Sequence, residues 1–247
     1  MTATLPPDSV IWHDVECGAY AADLPLWLEL AARGPESGVL DLGAGTGRVA
    51  LELARHGVSV TAVDVDPGLT SELGRRAGRL GLDVEVHTAD VRTLDLGRRF
   101  GLVLAPMQLA HLMPGADGRL ALLRAIAAHL APGGLAALAL LDQTDSFDEG
   151  TPEPLPDVRE VEGWVFSSTP VAVRAVPQGL ELVRRRQRVA PDGELLDTSA
   201  AIVLESCPLD QFEAEARSVG LLPAGRRDIP ETPDHVGSVV VLLEGAT

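Results

Sequence analysis

Lysine and asparagine are absent from this 247-residue chain, and it contains only two cysteines and 3% aromatic residues. Without lysine, a lysine Schiff base, a P-loop lysine and a lysine general base are all excluded. Cys17 and Cys207 are too few and too far apart in sequence for a disulfide framework or a zinc site, so we expect reduced thiols. The use of arginine in place of lysine is typical of a GC-rich coding genome.

The charge balance is strongly acidic, with 36 acidic residues against 20 basic ones and a formal net charge of -16. Proteins that hold phosphates usually display a basic face, so this balance disfavours a nucleic-acid partner. The length fits one domain, or one domain with an insertion. The first ten residues lack the features of a signal peptide, and no apolar run is long enough to span a membrane. We therefore expect a cytoplasmic protein with no membrane partner.

Apolar, strand-like runs alternate with amphipathic helical segments through the first 140 residues or so. This alternation is typical of a parallel sheet covered by helices. The predicted strands cover residues 38–42, 58–64, 84–88, 102–105 and 135–141. The predicted helices cover residues 24–33, 48–56, 69–80 and 118–130. The sequence Ala131–Pro132–Gly133–Gly134 predicts a turn that ends the last of these helices.

The pattern changes after residue 141. Residues 142–162 contain eight acidic side chains and a single base, which predicts a loop or lid rather than a packed element. Three strand-like stretches at 163–176, 180–189 and 199–206 follow, with short Pro- and Gly-containing connections that predict antiparallel pairing. A helix at 209–220 and an apolar strand at 237–243 are expected after them. Together these elements predict a doubly wound α/β sheet with a small antiparallel β insert after the fifth strand.

The strongest motif is a buried strand that runs into a turn with glycine at every second position, Gly43, Gly45 and Gly47. Glycine is expected there because the backbone is strained and a ligand must approach the main-chain N–H groups closely. Asp64 ends the next predicted strand, where an acid can accept hydrogen bonds from ribose hydroxyls. Asp41, two residues before the first glycine, would repel a pyrophosphate and suits a ligand that bears an ammonium and a sulfonium.

With these motifs in this order, the chain resembles class I S-adenosylmethionine (SAM)-dependent methyltransferases over about residues 37–141. Asp41 and the three glycines resemble the first motif of that family, and Asp64 its ribose-binding acid. Residues 88–92 are similar to the segment whose acid contacts the adenine amino group, and residues 131–134 to the turn before the fifth strand. The resemblance implies a Rossmann-like, seven-stranded, mostly parallel sheet with helices on both faces. It also implies SAM as the methyl donor and S-adenosylhomocysteine (SAH) as the product.

The segment Tyr20–Trp27 is similar to the N-terminal segment of small-molecule methyltransferases that resemble sugar-amine N,N-dimethyltransferases and glycine N-methyltransferase. In those relatives a tyrosine covers the methionine end of SAM, which implies this role for Tyr20. The cofactor-binding residues implied by the resemblance are Tyr20, Asp41, Leu42, Gly43, Ala44, Gly45, Gly47, Asp64, Val65, Asp90, Val91, Pro106 and Met107. Only the reaction class is implied, because substrate identity does not transfer at this distance.

His111 is the candidate general base, because it lies just beyond the fourth predicted strand at the edge where open α/β sheets bind ligands. A hydrogen-bonded structural histidine is the alternative. The residues expected to contact substrate are Trp12, His13, Gln108 and His111. For Trp12 the alternative is docking of the N-terminal segment onto the core.

The remaining histidines have no metal-ligand spacing, so no metal is expected. Arginines at 184–188 on one strand are expected to pair with nearby acids of the insert, or to form an exposed face, rather than to bind phosphate.

We expect an enzyme that transfers a methyl group from SAM to an N, O or C nucleophile of a small molecule, as a monomer or homodimer. Two alternatives stay open: a SAM-binding enzyme with another reaction, such as cyclisation or decarboxylation, and a non-catalytic binding protein with a vestigial nucleotide fold. Residues 1–36 are expected to form an N-terminal helical lid segment. Residues 37–142 and 207–247 would form the SAM-binding domain. Residues 143–206 would form an acidic loop and antiparallel insert that caps the substrate or contacts a second subunit.

Overall fold

The computed structural model describes residues 5–33, 37–141, 155–232 and 235–245. The helices are α1 (Asp8–Cys17), α2 (Leu24–Ala32), α3 (Arg48–Arg55), α4 (Pro67–Leu80), α5 (Gly115–His129) and α6 (Leu209–Ser218). The first strands are β1 (Val39–Leu42), β2 (Val60–Asp64), β3 (Val84–Thr88), β4 (Phe100–Ala105) and β5 (Leu130–Leu140). The later strands are β6 (Asp157–Val161), β7 (Trp164–Val176), β8 (Gly179–Val189), β9 (Leu195–Glu205), β10 (Leu221–Ile229) and β11 (Ser238–Gly245). No helix in these described ranges is long and apolar enough to cross a membrane.

The main sheet has seven strands in the order β10-β11-β5-β4-β1-β2-β3. Strands β1 to β5 are mutually parallel, whereas β11 runs antiparallel to β5 and β10. Apolar side chains cover both faces, as expected for a sheet packed between helices. On one face α5 and α6 contribute Leu122 and Phe212, and on the other α2, α3 and α4 contribute Trp27, Leu53 and Leu73, all fully buried. The predicted doubly wound α/β fold is confirmed.

Strand β10 was not identified in the sequence, because its segment contains Pro223, Gly225 and two arginines. It lies at the edge of the sheet and pairs only with β11, with a register shift between Pro223 and Gly225. An edge strand tolerates proline, glycine and charge, since only one side of its backbone must be paired.

The turn expected at residues 131–134 lies within β5 instead of before it. Phe100 of β4 pairs with Leu130, and Leu102 pairs with Leu135, so the four residues between bulge out of the ladder. Gly133, with φ of 72°, supplies the left-handed conformation that this bulge needs.

A second sheet contains β6, β7, β8 and β9 in sequence order, all antiparallel, as the predicted insert requires. The expectation of a loop through residue 162 is wrong for residues 157–161, which form β6. Glu162 and Gly163, with φ of 51° and 80°, make the two-residue turn that pairs β6 with β7. The remaining acid-rich residues, 142–154, lie outside the described residues.

Helix α1 joins the second sheet to the rest of the molecule. Ile11, Trp12 and Val15 on one side of α1 form a small buried cluster with Phe166 of β7. The helix also contacts α4, which packs on the main sheet. The second sheet is therefore attached through α1 on the side of the molecule where β1 and β2 end.

Candidate functional site

The glycine turn follows β1 directly and is fixed to the end of β2. The N–H groups of Gly43 and Ala44 both donate to the Val63 carbonyl, at 2.9 and 3.0 Å. The Gly45 N–H donates to Asp64 Oδ2 at 2.8 Å, and Asp64 Oδ1 accepts from the Asp66 N–H at 3.0 Å. The turn and the carboxylate expected to bind ribose are thus in direct contact at the carboxyl edge of the sheet.

All three glycines of the turn have left-handed backbones, with φ of 70°, 57° and 95° at Gly43, Gly45 and Gly47. A Cβ at Gly47 would lie 2.2 Å from Leu73 Cδ1, and a Cβ at Gly45 would lie 2.1 Å from His13 Nε2. The turn therefore needs glycine for its backbone shape and for the close approach of protein side chains, a reason that the motif alone does not reveal.

Asp41 lies within β1 and is 1% exposed. Neither carboxylate oxygen has a hydrogen-bond partner of regular geometry among the described residues, although the nearby Ala50 N–H at the start of α3 acts to lower the pKa of this group. Burial raises the pKa of this carboxyl to about 7; Arg48 opposes the shift, and the charges of Asp64 and Asp23 add to it. A buried, unpaired carboxylate is costly, so this position suits a cationic ligand such as the ammonium or sulfonium of SAM.

The N-terminal segment holds the start of α3. Arg48 binds Asp23 through two parallel hydrogen bonds of 2.6 and 2.7 Å, and Trp27 Nε1 donates to the same carboxylate at 2.7 Å. The Arg48 guanidinium also lies 5.1 Å from the centre of the Tyr20 ring, which His235 contacts at 4.7 Å. Tyr20 is consequently buried beside the first turn of α3, with an orientation fixed by packing.

The residues expected on the adenine side lie at the ends of β2 and β3. Asp90 accepts hydrogen bonds from the Arg92 N–H at 2.9 Å and from its guanidinium at 2.5 Å, and Arg92 lowers the pKa of the Asp90 carboxyl. Val91 is buried, whereas Val65, next to Asp64, is 66% exposed. An exposed apolar side chain beside the ribose-type acid provides a surface on which a flat base can pack.

The end of β4 has an unusual backbone. Met107 and Gln108, which follow Pro106, have φ of 56° and 58°. Consecutive left-handed conformations are uncommon for residues other than glycine and concentrate at functional sites. The Gln108 side-chain amide donates to Ser238 Oγ at 3.0 Å, which ties this turn to the start of β11.

His111 is fully buried, and both of its ring nitrogens are engaged. The Leu141 N–H donates to Nε2 at 3.0 Å, so the ring proton lies on Nδ1 and is donated to the Glu205 carbonyl at 2.8 Å. Burial lowers the pKa of His111 and keeps the ring neutral. This arrangement leaves no ring nitrogen for proton transfer and favours the structural alternative over a catalytic base.

The two candidate substrate residues of α1 have different surroundings. Trp12 is 6% exposed and packs edge-on against Phe166, with 5.7 Å between the ring centres. The Arg186 guanidinium lies over the Trp12 ring, 5.1 Å from its centre. Its position agrees with docking of α1 onto the second sheet. His13 lies beside Gly45, with Nδ1 3.2 Å from Thr46 Oγ, and burial lowers the pKa of its ring.

A cavity of about 530 Å³ lies between α1 and strands β8 and β9, with His13 in its wall. Two arginines of β8 line it, and each is paired with an acid of α1. Arg186 binds Glu16 at 2.7 Å, and Arg188 binds Asp8 at 2.7 Å. These two arginines are thus paired with carboxylates of α1, whereas acids of the insert were expected, and the cavity lining carries both signs of charge.

Sequence reasoning did not identify Asp14, Asp23 and Thr46, although each makes buried hydrogen bonds around the glycine turn. Asp23 also contacts Trp27, which is near in sequence, but the contacts of Asp14 with Thr46 and of Asp23 with Arg48 span 32 and 25 residues, so no local pattern marks them as neighbours of the turn. Position alone gives one signal, because Thr46 lies inside the glycine motif. Among the described residues, no group of three or more His, Cys, Asp or Glu side chains is arranged to hold a metal ion.

Residues 39–134 match the family model described as a methyltransferase domain. Among curated proteins, the cypemycin N-terminal methyltransferase of a Streptomyces species is 38% identical over 107 residues, which are 43% of this chain and 43% of that protein. The chain therefore matches less than half the length of this relative.

Two solved structures align over nearly the whole chain. A sugar N-methyltransferase from a Streptoalloteichus species aligns with a TM-score of 0.75 and 19% identity, over 100% of this chain and 96% of that one. A SAM-bound amino pentose methyltransferase from Micromonospora echinaspora, involved in calicheamicin biosynthesis, aligns with a TM-score of 0.68 and 20% identity, over 97% and 99%. The domain match and the shared fold confirm the resemblance stated from the sequence.

Proposed function

We propose that this chain, which carries a methyltransferase domain on the class I SAM-dependent methyltransferase fold, transfers a methyl group from SAM to an amine of a small molecule. The observation that carries the proposal is the buried, unpaired carboxylate of Asp41 beside a left-handed glycine turn. A cationic cofactor supplies the missing partner. The compared sugar N-methyltransferase is named for methylation at nitrogen, which supports an amine as the acceptor.

Each part of the proposed cofactor site has a physical role. Asp41 would bind the positively charged methionine portion, and Tyr20 would cover that end. The backbone of the glycine turn at 43–45 would line the site, with His13 already packed beside Gly45. Asp64 would accept from the ribose hydroxyls, and Asp90 from the adenine amino group. The remaining residues proposed to line the site are Leu42, Ala44, Gly47, Val65, Val91, Pro106 and Met107. When bound, SAM supplies a methyl carbon already activated by its sulfonium.

On the acceptor side, this chain's residues would mainly orient the nucleophile. An amine that reaches the site uncharged attacks with its own lone pair and loses its proton afterwards, so no buried base is required. This fits the engagement of both His111 nitrogens. We propose that the acceptor enters through the polar cavity beside His13 and that Gln108, on the strained turn after β4, contacts it.

The domain division expected from the sequence is kept as part of the proposal, with residues 1–36 as the lid, 37–142 and 207–247 as the cofactor domain, and 143–206 as the insert. We further propose a cytoplasmic enzyme that acts as a monomer or homodimer and has no nucleic-acid partner. The net charge of -16 supports the last point, since phosphate backbones would be repelled.

Isothermal titration of the purified protein with SAH tests the cofactor assignment. We expect binding by the wild type and a loss of affinity of about 30-fold or more in Asp41→Ala, because a buried charge partner is removed. Asp83→Ala, which changes an exposed acid between α4 and β3, is the matched control and should bind like the wild type. A wild-type protein that does not bind SAH would contradict the proposal.

Incubation with SAM and candidate amines, read by mass spectrometry, separates methylation from cyclisation or decarboxylation through the added methyl mass.

A further inference from the structure

Asp14 of α1 connects four separate parts of the structure through one buried carboxylate, which is 7% exposed. Oδ1 accepts from the Thr46 hydroxyl at 2.7 Å and from Arg76 Nη1 of α4 at 3.0 Å. Arg76 also contacts Oδ2, and Arg159 of β6 lies 3.2 Å from the same oxygen. A single side chain thus joins the helix α1, the glycine turn, α4 and the second sheet.

Thr46 is the point at which this cluster reaches the proposed cofactor site. It is 2% exposed and lies between Gly45, whose N–H is bonded to Asp64, and Gly47, which precedes α3. Its hydroxyl proton is used on Asp14, so the oxygen is left to accept from His13 Nδ1 at 3.2 Å. The hydroxyl, which belongs to the turn, therefore links the turn to α1 through hydrogen bonds with Asp14 and His13.

The charge of Asp14 is what makes this link a stable one. Arg76 also binds Glu72 at 2.6 Å. The contacts of Asp14 with the guanidinium groups of Arg76 and Arg159 need an ionised carboxylate at position 14. Charge-assisted hydrogen bonds are roughly twice as strong as neutral ones, and a buried network with all its members paired is rigid. The turn is accordingly held from the α1 side as well as from the β2 side.

We propose that Asp14 is a positioning residue for cofactor binding: through the Thr46 hydroxyl it holds the glycine turn in its binding shape, so that SAM affinity depends on the docking of α1. This inference rests on the proposed function. It assigns to α1 an effect on the cofactor itself, in addition to any contact that α1 makes with the acceptor.

A double-mutant cycle on SAH affinity, measured by isothermal titration, tests this inference. Thr46→Val keeps the side-chain shape and removes only the hydroxyl, and we expect it to weaken SAH binding about 10-fold. Thr46→Ser retains the hydroxyl and should stay within about twofold of the wild type. Asp14→Asn should weaken binding at least as much as Thr46→Val. Because Asp14 acts through Thr46, the double variant should bind no more weakly than Asp14→Asn alone.

Asp8→Asn is the matched control, since Asp8 lies on the same helix but pairs with Arg188 outside the cluster around Thr46. It should leave SAH affinity unchanged. The proposal is overturned if Thr46→Val binds SAH like the wild type, or if the losses in the double variant add. It is also overturned if the loss of affinity merely follows the unfolded fraction, which a thermal melt of each variant measures. Thr46→Val decides the matter alone if Asp14→Asn does not fold. A wild type that fails to bind SAH defeats the proposed function instead, so the two failures are distinguishable.

Discussion

The carboxyl group of Asp41 is held where its charge is unfavourable unless a cation is present. Burial, together with the charges of Asp64 and Asp23, raises its pKa to about 7, although Arg48 opposes the shift. In an unfolded chain an aspartate titrates near pH 4. The folded protein therefore binds more protons than the unfolded chain between about pH 4 and pH 7.

Two pH effects follow from Asp41. Stability of the empty protein should fall as pH rises through this window, because the ionised carboxyl is disfavoured in the fold. SAH affinity should rise about tenfold between about pH 6 and pH 8, because the ammonium group of SAH pairs with the ionised carboxylate. Titration calorimetry at several pH values measures the second effect, and Asp41→Asn should remove the dependence. An affinity that is flat with pH in the wild type would contradict this account.

The elements that the sequence predicts well are those with strong local patterns. The buried run 38–42 and the helical spacing of 48–56 became β1 and α3 with boundaries within two residues. The elements that were missed or misplaced depend on pairing instead. Strand β6 is acidic and forms because β7 folds back on it, and the bulge in β5 is defined only against β4. Local pattern cannot reveal such partners.

The residues of the candidate site also fall into two groups: those that a local sequence pattern predicts and those whose roles depend on contacts distant in sequence. Asp41, the glycines and Asp64 lie along one short motif and its neighbouring strand, and their expected positions at one edge of the sheet agree with the structure. The role of His111 could not be chosen from sequence, because it depends on the backbone groups of Leu141 and Glu205 that meet its ring. Asp14 acts through contacts with Thr46, Arg76 and Arg159, all of them far away in sequence, and left no sequence signal.

The junction of the glycine turn with α3 and α4 can be tested through Gly47. Its φ is 95°, and a Cβ there would lie 2.2 Å from Leu73 Cδ1, a buried side chain of α4. We expect Gly47→Ala to lower the free energy of unfolding by about 2–4 kcal/mol, from backbone strain and overpacking together. Gly57→Ala is the control, since Gly57 has φ of 78° but nothing within 4 Å of its Cβ position. It should cost about 1 kcal/mol. Urea denaturation measures both, and equal losses would show that contact with Leu73 is unimportant.

At the scale of the whole molecule, the arginines of the second sheet hold α1 as well as one another. Three acids of α1 each pair with an arginine of that sheet: Asp8 with Arg188, Asp14 with Arg159, and Glu16 with Arg186. The Asp8–Arg188 pair is exposed at its carboxylate, and pairs of this kind contribute about 0 to 1 kcal/mol, whereas the carboxylates of Asp14 and Glu16 are largely buried. The pairs fix the position of the helix on the sheet, and the buried contact of Trp12 with Phe166 adds apolar burial to the attachment.

Trp12→Ala should therefore detach the second sheet from the cofactor domain more than any one ion-pair variant. Truncating a buried tryptophan costs about 3–5 kcal/mol where the loss is global. Here the main sheet has its own core, centred on residues such as Trp27, Leu53 and Leu122, so we expect the loss to appear locally. Hydrogen exchange read by mass spectrometry should show faster exchange in α1 and β7, with β1 and β4 unchanged. Asp8→Asn is the control for loss of an ion pair alone and should change exchange little. Equal acceleration in β1 and β4 would mean that the two sheets unfold as one unit, and that α1 is part of a common core instead of a connection between two.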